Sequence, residues 1–181
     1  MCVGSLGYAV MTFLMTATPL AMGFCGHPYS AAASVIAAHV VGMFLPSFFT
    51  GSLIKRFGVL QVILAGVAVM MACVGVALSG QDVASFWWAL VLLGIGWNFM
   101  YIGGSALLTE TYRPSEKSKA QGAGELVTTI VQTCAAFSSG VLVNTRGWDL
   151  LNYIALPLIL FAGGAAAWLL WSRRRVALAA S

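Results

Sequence analysis

The chain has 181 residues, 60% of them apolar and 8% charged, with a formal net charge of +4. Soluble globular domains carry about 25% charged and about 45 to 50% apolar residues, so this composition excludes a water-soluble domain, a disordered chain and a coiled coil. The positive excess suits loops beside a membrane better than a nucleic-acid partner. At about 20 residues per crossing, the length allows about six helices and leaves no room for a sizeable soluble domain.

The charged residues mark the element boundaries. None precedes Lys55, and the gaps after Arg56, Asp82, Glu125 and Asp149 run 25, 27, 20 and 23 residues to the next charge. Each of these four fits one helix crossing a hydrocarbon core of about 30 Å at a rise of about 1.5 Å per residue. The charge-free start of 54 residues is too long for one helix. It divides at Cys25-Gly26-His27-Pro28-Tyr29-Ser30, where Gly and Pro make a turn and Ser30 is the expected helix N-cap.

The expected chain order is therefore helix 1 over about 3–24, helix 2 over about 31–50, helix 3 over about 59–79, helix 4 over about 85–108, helix 5 over about 122–143 and helix 6 over about 150–171. Together they form one all-α integral-membrane domain over residues 1–181. On alternate connections, Lys55, Arg56, Arg113, Lys117, Lys119, Arg173, Arg174 and Arg175 fall on one side and Arg146 on the other. The positive-inside rule then places both termini in the cytoplasm of an inner- or plasma-membrane protein. Trp87, Trp88, Tyr153, Trp168 and Trp171 lie near helix ends, as interfacial aromatics do.

Reactive constellations are missing from the sequence. Cys2, Cys25, Cys73 and Cys134 include no CxxC pair and read as small apolar residues of membrane helices; His27 and His39 lack metal-type spacing. The run Gly94-Ile95-Gly96-Trp97-Asn98-Phe99 breaks the dinucleotide fingerprint at its last position and lies in a helix. No enzyme activity, cofactor or metal is expected.

Polar side chains are instead arranged in stripes. Helices 3 and 6 are almost bare, whereas helix 1 shows Ser5, Tyr8, Thr12 and Thr16, helix 2 shows His39, Gly42, Pro46 and Thr50, helix 4 shows Asn98, Tyr101 and Ser105, and helix 5 shows Glu125, Thr128, Thr129, Gln132 and Ser139. Polar groups in a bilayer face a bundle interior or an aqueous cavity, so four helices are expected to line a cavity and two to face lipid. Single residues keep a second reading. Ser and Thr often bond their own backbone, Asn98 can bond a neighbouring helix, and His39 can be a packed neutral imidazole or a proton carrier. Glu125 is either an acid favoured by a helix N-terminus or a coupling or gating group on the pathway.

Gly51-Ser52-Leu53-Ile54-Lys55-Arg56-Phe57-Gly58 resembles the GxLxDRxGRR loop of the major facilitator superfamily, with Gly51, Leu53, Arg56 and Gly58 in register and Lys55 in place of the Asp. Leu93 to Asn98, Leu107 to Pro114 and Lys119-Ala120-Gln121-Gly122 resemble the fourth helix of a family half, its following loop and the start of the fifth. Gly147-Trp148 resembles the pair before the last helix of a half. The resemblance implies one six-helix half of a secondary active transporter working by alternating access, with helices 1, 2, 4 and 5 around the substrate. The degenerate first loop, the uncharged start and the basic tail suggest the C-terminal half of a longer protein. Tyr8, His39, Asn98, Tyr101, Thr129 and Gln132 are the expected pathway residues; Glu125, Glu110 and Arg113 are the coupling or gating candidates, beside the signature loop Gly51, Lys55, Arg56 and Gly58. The expected partners are a small-molecule substrate, the lipid bilayer, and a second half or second copy. A half acting as a homodimer and a non-transporting remnant are the alternatives.

Overall fold

A computed structural model describes residues 2–110 and 116–179, and among these every regular element is an α-helix: α1 (Cys2–Phe24), α2 (Tyr29–Phe44), α3 (Ser47–Phe57), α4 (Val59–Ser79), α5 (Val83–Thr109) and α6 (Lys117–Ala179). Five helical stretches among the described residues are long and apolar enough to cross a bilayer: Val3–Phe24, Tyr29–Phe57, Val59–Ser79, Val83–Thr109 and Lys117–Arg175.

Two features depart from the six expected helices. The second is interrupted: Pro46 has no N–H to donate, and α2 gives way to α3 across Leu45 and Pro46. The last two are joined in α6, where the expected loop at 144–149 is absent. Asn144 Nδ2 donates to the Gly140 carbonyl at 2.6 Å and Thr145 Oγ1 to the Val141 carbonyl at 2.9 Å, so these polar side chains continue the helix that they were expected to end. The non-helical break is at Gly147, at φ 81° and ψ 179°, a left-handed φ that suits glycine.

That one residue reverses the chain. An unbroken helix of 63 residues would be about 95 Å long at 1.5 Å per residue. Instead, Thr128 meets Ser5 near the start of α1, Trp148 donates its indole N–H to the Ala77 carbonyl at the far end of α4, and Arg173 pairs with Glu110 at the end of α5. Between those points Gly163 lies against Val67, and Ala166 packs with Leu60 and Ile63. Residues 148–179 therefore run back along α4, and both outer ends of α6 lie at the same end of the bundle. Lys55 and Arg56 at the end of α3 share that end, which we call the basic end; Arg146 lies at the opposite one.

α5 is the central helix, packing on α1, α2 and α4. Leu93, Trp97 and Met100 are buried on it among Val10, Leu14, Met70 and Val74. In lipid such contacts are driven by van der Waals packing and small-residue approach more than by water exclusion. The α2–α5 crossing shows how tight they are. A Cβ on Gly94 would lie 2.6 Å from the His39 carbonyl oxygen, so only a glycine admits that backbone. At the end opposite the basic one, His27 Nε2 bonds the Gln81 carbonyl at 2.8 Å and Cys25 Sγ donates to Gln81 Oε1 at 3.2 Å, tying two turns together. The expected N-cap Ser30 is replaced by Pro28, whose fixed φ of −66° enters α2 and whose carbonyl accepts from the Ala31 N–H.

Candidate functional site: a polar cavity beside an aromatic stack

Polar side chains gather in two places, and α5 carries one side of both. Four residues per helical step separate Trp97 from Tyr101, which puts both rings on one face. They stack at 5.1 Å between centroids with an interplanar angle of 9°, and Tyr8 of α1 meets them edge-on, at 5.1 Å from Trp97 and 5.4 Å from Tyr101. Phe44, at the end of α2, covers Trp97 edge-on at 6.5 Å.

Below this stack, towards the basic end, a cavity of about 350 Å³ opens between α1, α5 and the first arm of α6. Ser5, Tyr101, Ser105, Thr109, Gln121, Glu125 and Thr128 supply its polar wall, and Gly4 and Gly104 keep the backbones of α1 and α5 close. Ser5 Oγ and Thr128 Oγ1 are 2.8 Å apart, bridging α1 and α6, while Tyr101 Oη donates to Glu125 Oε1 over a long 3.5 Å. Neither α4 nor residues 148–179 line the cavity, and α2 does not reach it. Glu125 is exposed and faces hydroxyls, so a carboxylate that accepts hydrogen bonds is held beside groups able to donate them.

The second polar group joins α5 to the break between α2 and α3. Asn98 Nδ2 donates to the Met43 carbonyl at 2.7 Å and lies 2.6 Å from Ser47 Oγ; Thr50 Oγ1 is 2.7 Å from Asn98 Oδ1 and 2.8 Å from the Pro46 carbonyl. Asn98 is 1% exposed, and its amide is used on this joint. His39, fully buried one turn before Met43, bonds the Leu90 carbonyl through Nδ1 at 2.8 Å, and its Nε2 has no partner.

The structure thus brings together Tyr8, Tyr101 and Glu125 of the expected pathway and coupling residues. His39 and Asn98 belong to the α2–α5 joint. Thr129 is exposed and Gln132 half-buried, and neither lines the cavity. Glu110 forms an exposed ion pair with Arg173, at 2.9 Å, a partner 63 residues away that no spacing suggested. Arg113 lies outside the described residues. The residues expected as the signature loop are helical up to Phe57, within α3: Gly51, Lys55 and Arg56 are exposed there, the Arg56 guanidinium lies 5.2 Å from the Phe57 ring centre, and Gly58 takes φ 94° between α3 and α4, the reason for a glycine there. The sequence reading left Trp97 out of the pathway, although its spacing of four from Tyr101 marked the shared face. Among the described residues no three or more His, Cys, Asp or Glu side chains group as metal ligands would.

Known proteins resemble the chain over nearly all of its length. The family model of the Major Facilitator Superfamily matches residues 1–180. The riboflavin transporter RfnT of Brucella anthropi is 44% identical over 156 residues, 86% of this chain and 39% of RfnT. Two uncharacterized MFS-type transporters of Bacillus subtilis, YddS and YdeG, are 33% and 35% identical over 90% and 92% of the chain. The chain spans 38 to 39% of the length of these relatives. No solved structure matches it. The chain belongs to the major facilitator superfamily.

Proposed function

We propose that the chain forms a six-crossing half of a secondary active transporter, with both termini on the cytoplasmic side. The two arms of α6 on either side of Gly147 are read as separate crossings, because the reversal brings each back along the bundle. The seven basic side chains described at one end, against Arg146 at the other, support the orientation. Substrate enters between the two halves of a full assembly and is exposed alternately to the two sides.

The observation that carries this reading is the cavity: Glu125 and a set of hydroxyls gathered between α1, α5 and α6. Ionisable groups within membrane helices mark ion and substrate pathways. Because RfnT is named a riboflavin transporter and is 44% identical over most of this chain, riboflavin is the first solute to test. One acid and several neutral groups favour a neutral solute over a strongly anionic one. Glu125 is assigned the coupling proton, and Glu110 with Arg173 closes the basic end in one state.

The faces left for a partner are apolar: Val41, Phe48 and Phe49 on α2 and α3, and Leu126, Ile130 and Phe137 on α6 are all exposed. Lipid, the remaining half of a longer chain, or a second copy would cover them. The test is counterflow of labelled riboflavin into proteoliposomes that contain the purified chain and unlabelled riboflavin. Accumulation of label above protein-free vesicles, with a native mass of two copies, supports a dimer. Accumulation only when the remaining half is co-reconstituted supports a half. Absence of counterflow in both preparations refutes transport of this solute. Glu125→Gln should lose gradient-driven uptake and keep exchange; unchanged concentrative uptake removes Glu125 from the coupling role.

A further inference from the structure

We propose that the aromatic stack and the polar cavity are one ligand site in two parts: Tyr101, backed by Trp97 and Tyr8, receives a planar conjugated ring, and Glu125 with the neighbouring hydroxyls receives a polyhydroxylated chain attached to it. This inference rests on the transport reading above and goes further, by assigning each part of the solute to named residues and by bringing Trp97 into the site.

Tyr101 joins the two parts. Its ring belongs to the stack, while its hydroxyl faces Glu125 in the cavity wall. A ligand lying along it would therefore pass from an aromatic surface to a hydrogen-bonding one over the width of a single side chain. The geometry of the rings selects the class of ligand. An aromatic cage for a cation presents several ring faces to one point. Here Trp97 and Tyr101 lie 9° from parallel, and Tyr8 presents its edge to both. Faces arranged this way extend by adding another flat ring to the stack, the offset and edge-to-face packing that aromatic systems prefer. The indole N–H of Trp97 is the unused donor of the group: the residue is 5% exposed and Nε1 has no acceptor. Phe44, which meets that ring edge-on, is itself exposed.

The lower part suits hydroxyl groups. Ionised carboxylates only accept hydrogen bonds, whereas Ser and Thr hydroxyls donate and accept. Glu125, Ser5 and Thr128 thus match a run of hydroxyls better than they match carboxylates or phosphates, which would find no guanidinium or ammonium group among the described lining residues. A volume of about 350 Å³ leaves space for such a chain.

The test is a fluorescence titration of the purified chain in detergent, using riboflavin, lumiflavin (the ring without the polyol), ribitol (the polyol without the ring) and tetramethylammonium. Riboflavin should bind saturably with its emission quenched by stacking, and lumiflavin should bind with the same quench but more weakly. Neither ribitol nor tetramethylammonium at millimolar concentration should displace riboflavin. Tyr101→Leu should abolish the quench and Tyr101→Phe should keep it. Glu125→Leu, at an exposed side chain, should weaken riboflavin by about tenfold or more, the worth of a charge-assisted hydrogen bond, and leave lumiflavin unchanged. The inference is overturned if the wild-type chain does not quench riboflavin, if Tyr101→Leu quenches as well as wild type, if Glu125→Leu shifts both flavins equally, or if tetramethylammonium competes. Counterflow of any solute by a preparation that fails these tests would leave the transport reading standing without the two-part site.

Discussion

Replacing Asn98 by Leu tests whether the α2–α3 joint is held by side-chain hydrogen bonds. Leu has the same number and branching of side-chain heavy atoms as Asn and fits a membrane helix, so the change removes polar contacts while opening no space. Three are lost: those to the Met43 carbonyl, Ser47 Oγ and Thr50 Oγ1. Side-chain hydrogen bonds between membrane helices average about 0.6 kcal/mol, which gives about 2 kcal/mol for three. The Met43 carbonyl belongs to the last turn of α2, where the helix has no further N–H to offer and Pro46 brings none. Leaving a buried carbonyl unpaired costs about 1 to 3 kcal/mol, so a total loss of about 3 to 5 kcal/mol is expected. Unfolding by sodium dodecyl sulfate, followed by far-UV circular dichroism, measures it. A double-mutant cycle with Thr50→Val should return about 0.6 kcal/mol of coupling. Stability of Asn98→Leu within about 0.5 kcal/mol of wild type would refute the clamp. A further reading separates clamp from pathway: folded Asn98→Leu should bind riboflavin within about twofold of wild type, since the amide faces the joint and not the cavity.

The remaining expectations concern the turns and the basic end. Gly147→Ala forces an L side chain into φ 81° and should cost about 1 to 2 kcal/mol in the same denaturation; a neutral result would mean that the reversal does not depend on that conformation. Arg173→Ala breaks a pair whose side chains are about half exposed, so it should change stability by less than about 1 kcal/mol, while altering the salt dependence of transport if the pair closes the basic end. Asp82, just before α5, accepts from the Ser85 hydroxyl, which holds its carboxyl below the ordinary carboxylate range. A depressed folded-state value means stability present above the unfolded value of about 3.9 and lost as pH falls through the lower, folded one. Asp82→Asn should remove that acid-dependent component, and a wild-type acid profile in the variant would assign it elsewhere.

Charge spacing made most of the helix positions legible. Apolar runs bounded by Gly58, Gly80 and Asp82 define α4 and α5 within a residue or two, because Gly58 and Gly80 take conformations outside the helix and Asp82 is extended. The connection at 144–149 misled for a physical reason. Polar residues there looked like a loop, yet Asn144 and Thr145 satisfy themselves on their own helix, and a turn needs one suitable φ, not a run of polar residues. Periodicity placed Asn98 and Tyr101 together on one side of α5, but it could not separate their partners. A step of three residues rotates a side chain by about 300° along a helix, enough for one to meet α2 and the other α1 and α6. The Glu110–Arg173 pair was hidden for the same kind of reason, since only the reversal at Gly147 brings those residues together.

The arrangement on α5 has a consequence for movement. Gly94 and Asn98 fix this helix to α2 by backbone approach and by hydrogen bonds at the Pro46 break, so α2, α3 and α5 share contacts that resist sliding. On its other face α5 meets the first arm of α6 through a 3.5 Å hydroxyl–carboxylate contact and an open cavity. The exposed apolar residues of that arm, from Leu126 to Val141, leave one of its faces uncovered by this chain. Against α5 that arm is held loosely, while Ser5 and Thr128 tie it to α1. A displacement of that arm relative to α5 changes the distance between Tyr101 and Glu125. A proton or a ligand at Glu125 would therefore act directly on the contact between that arm and α5.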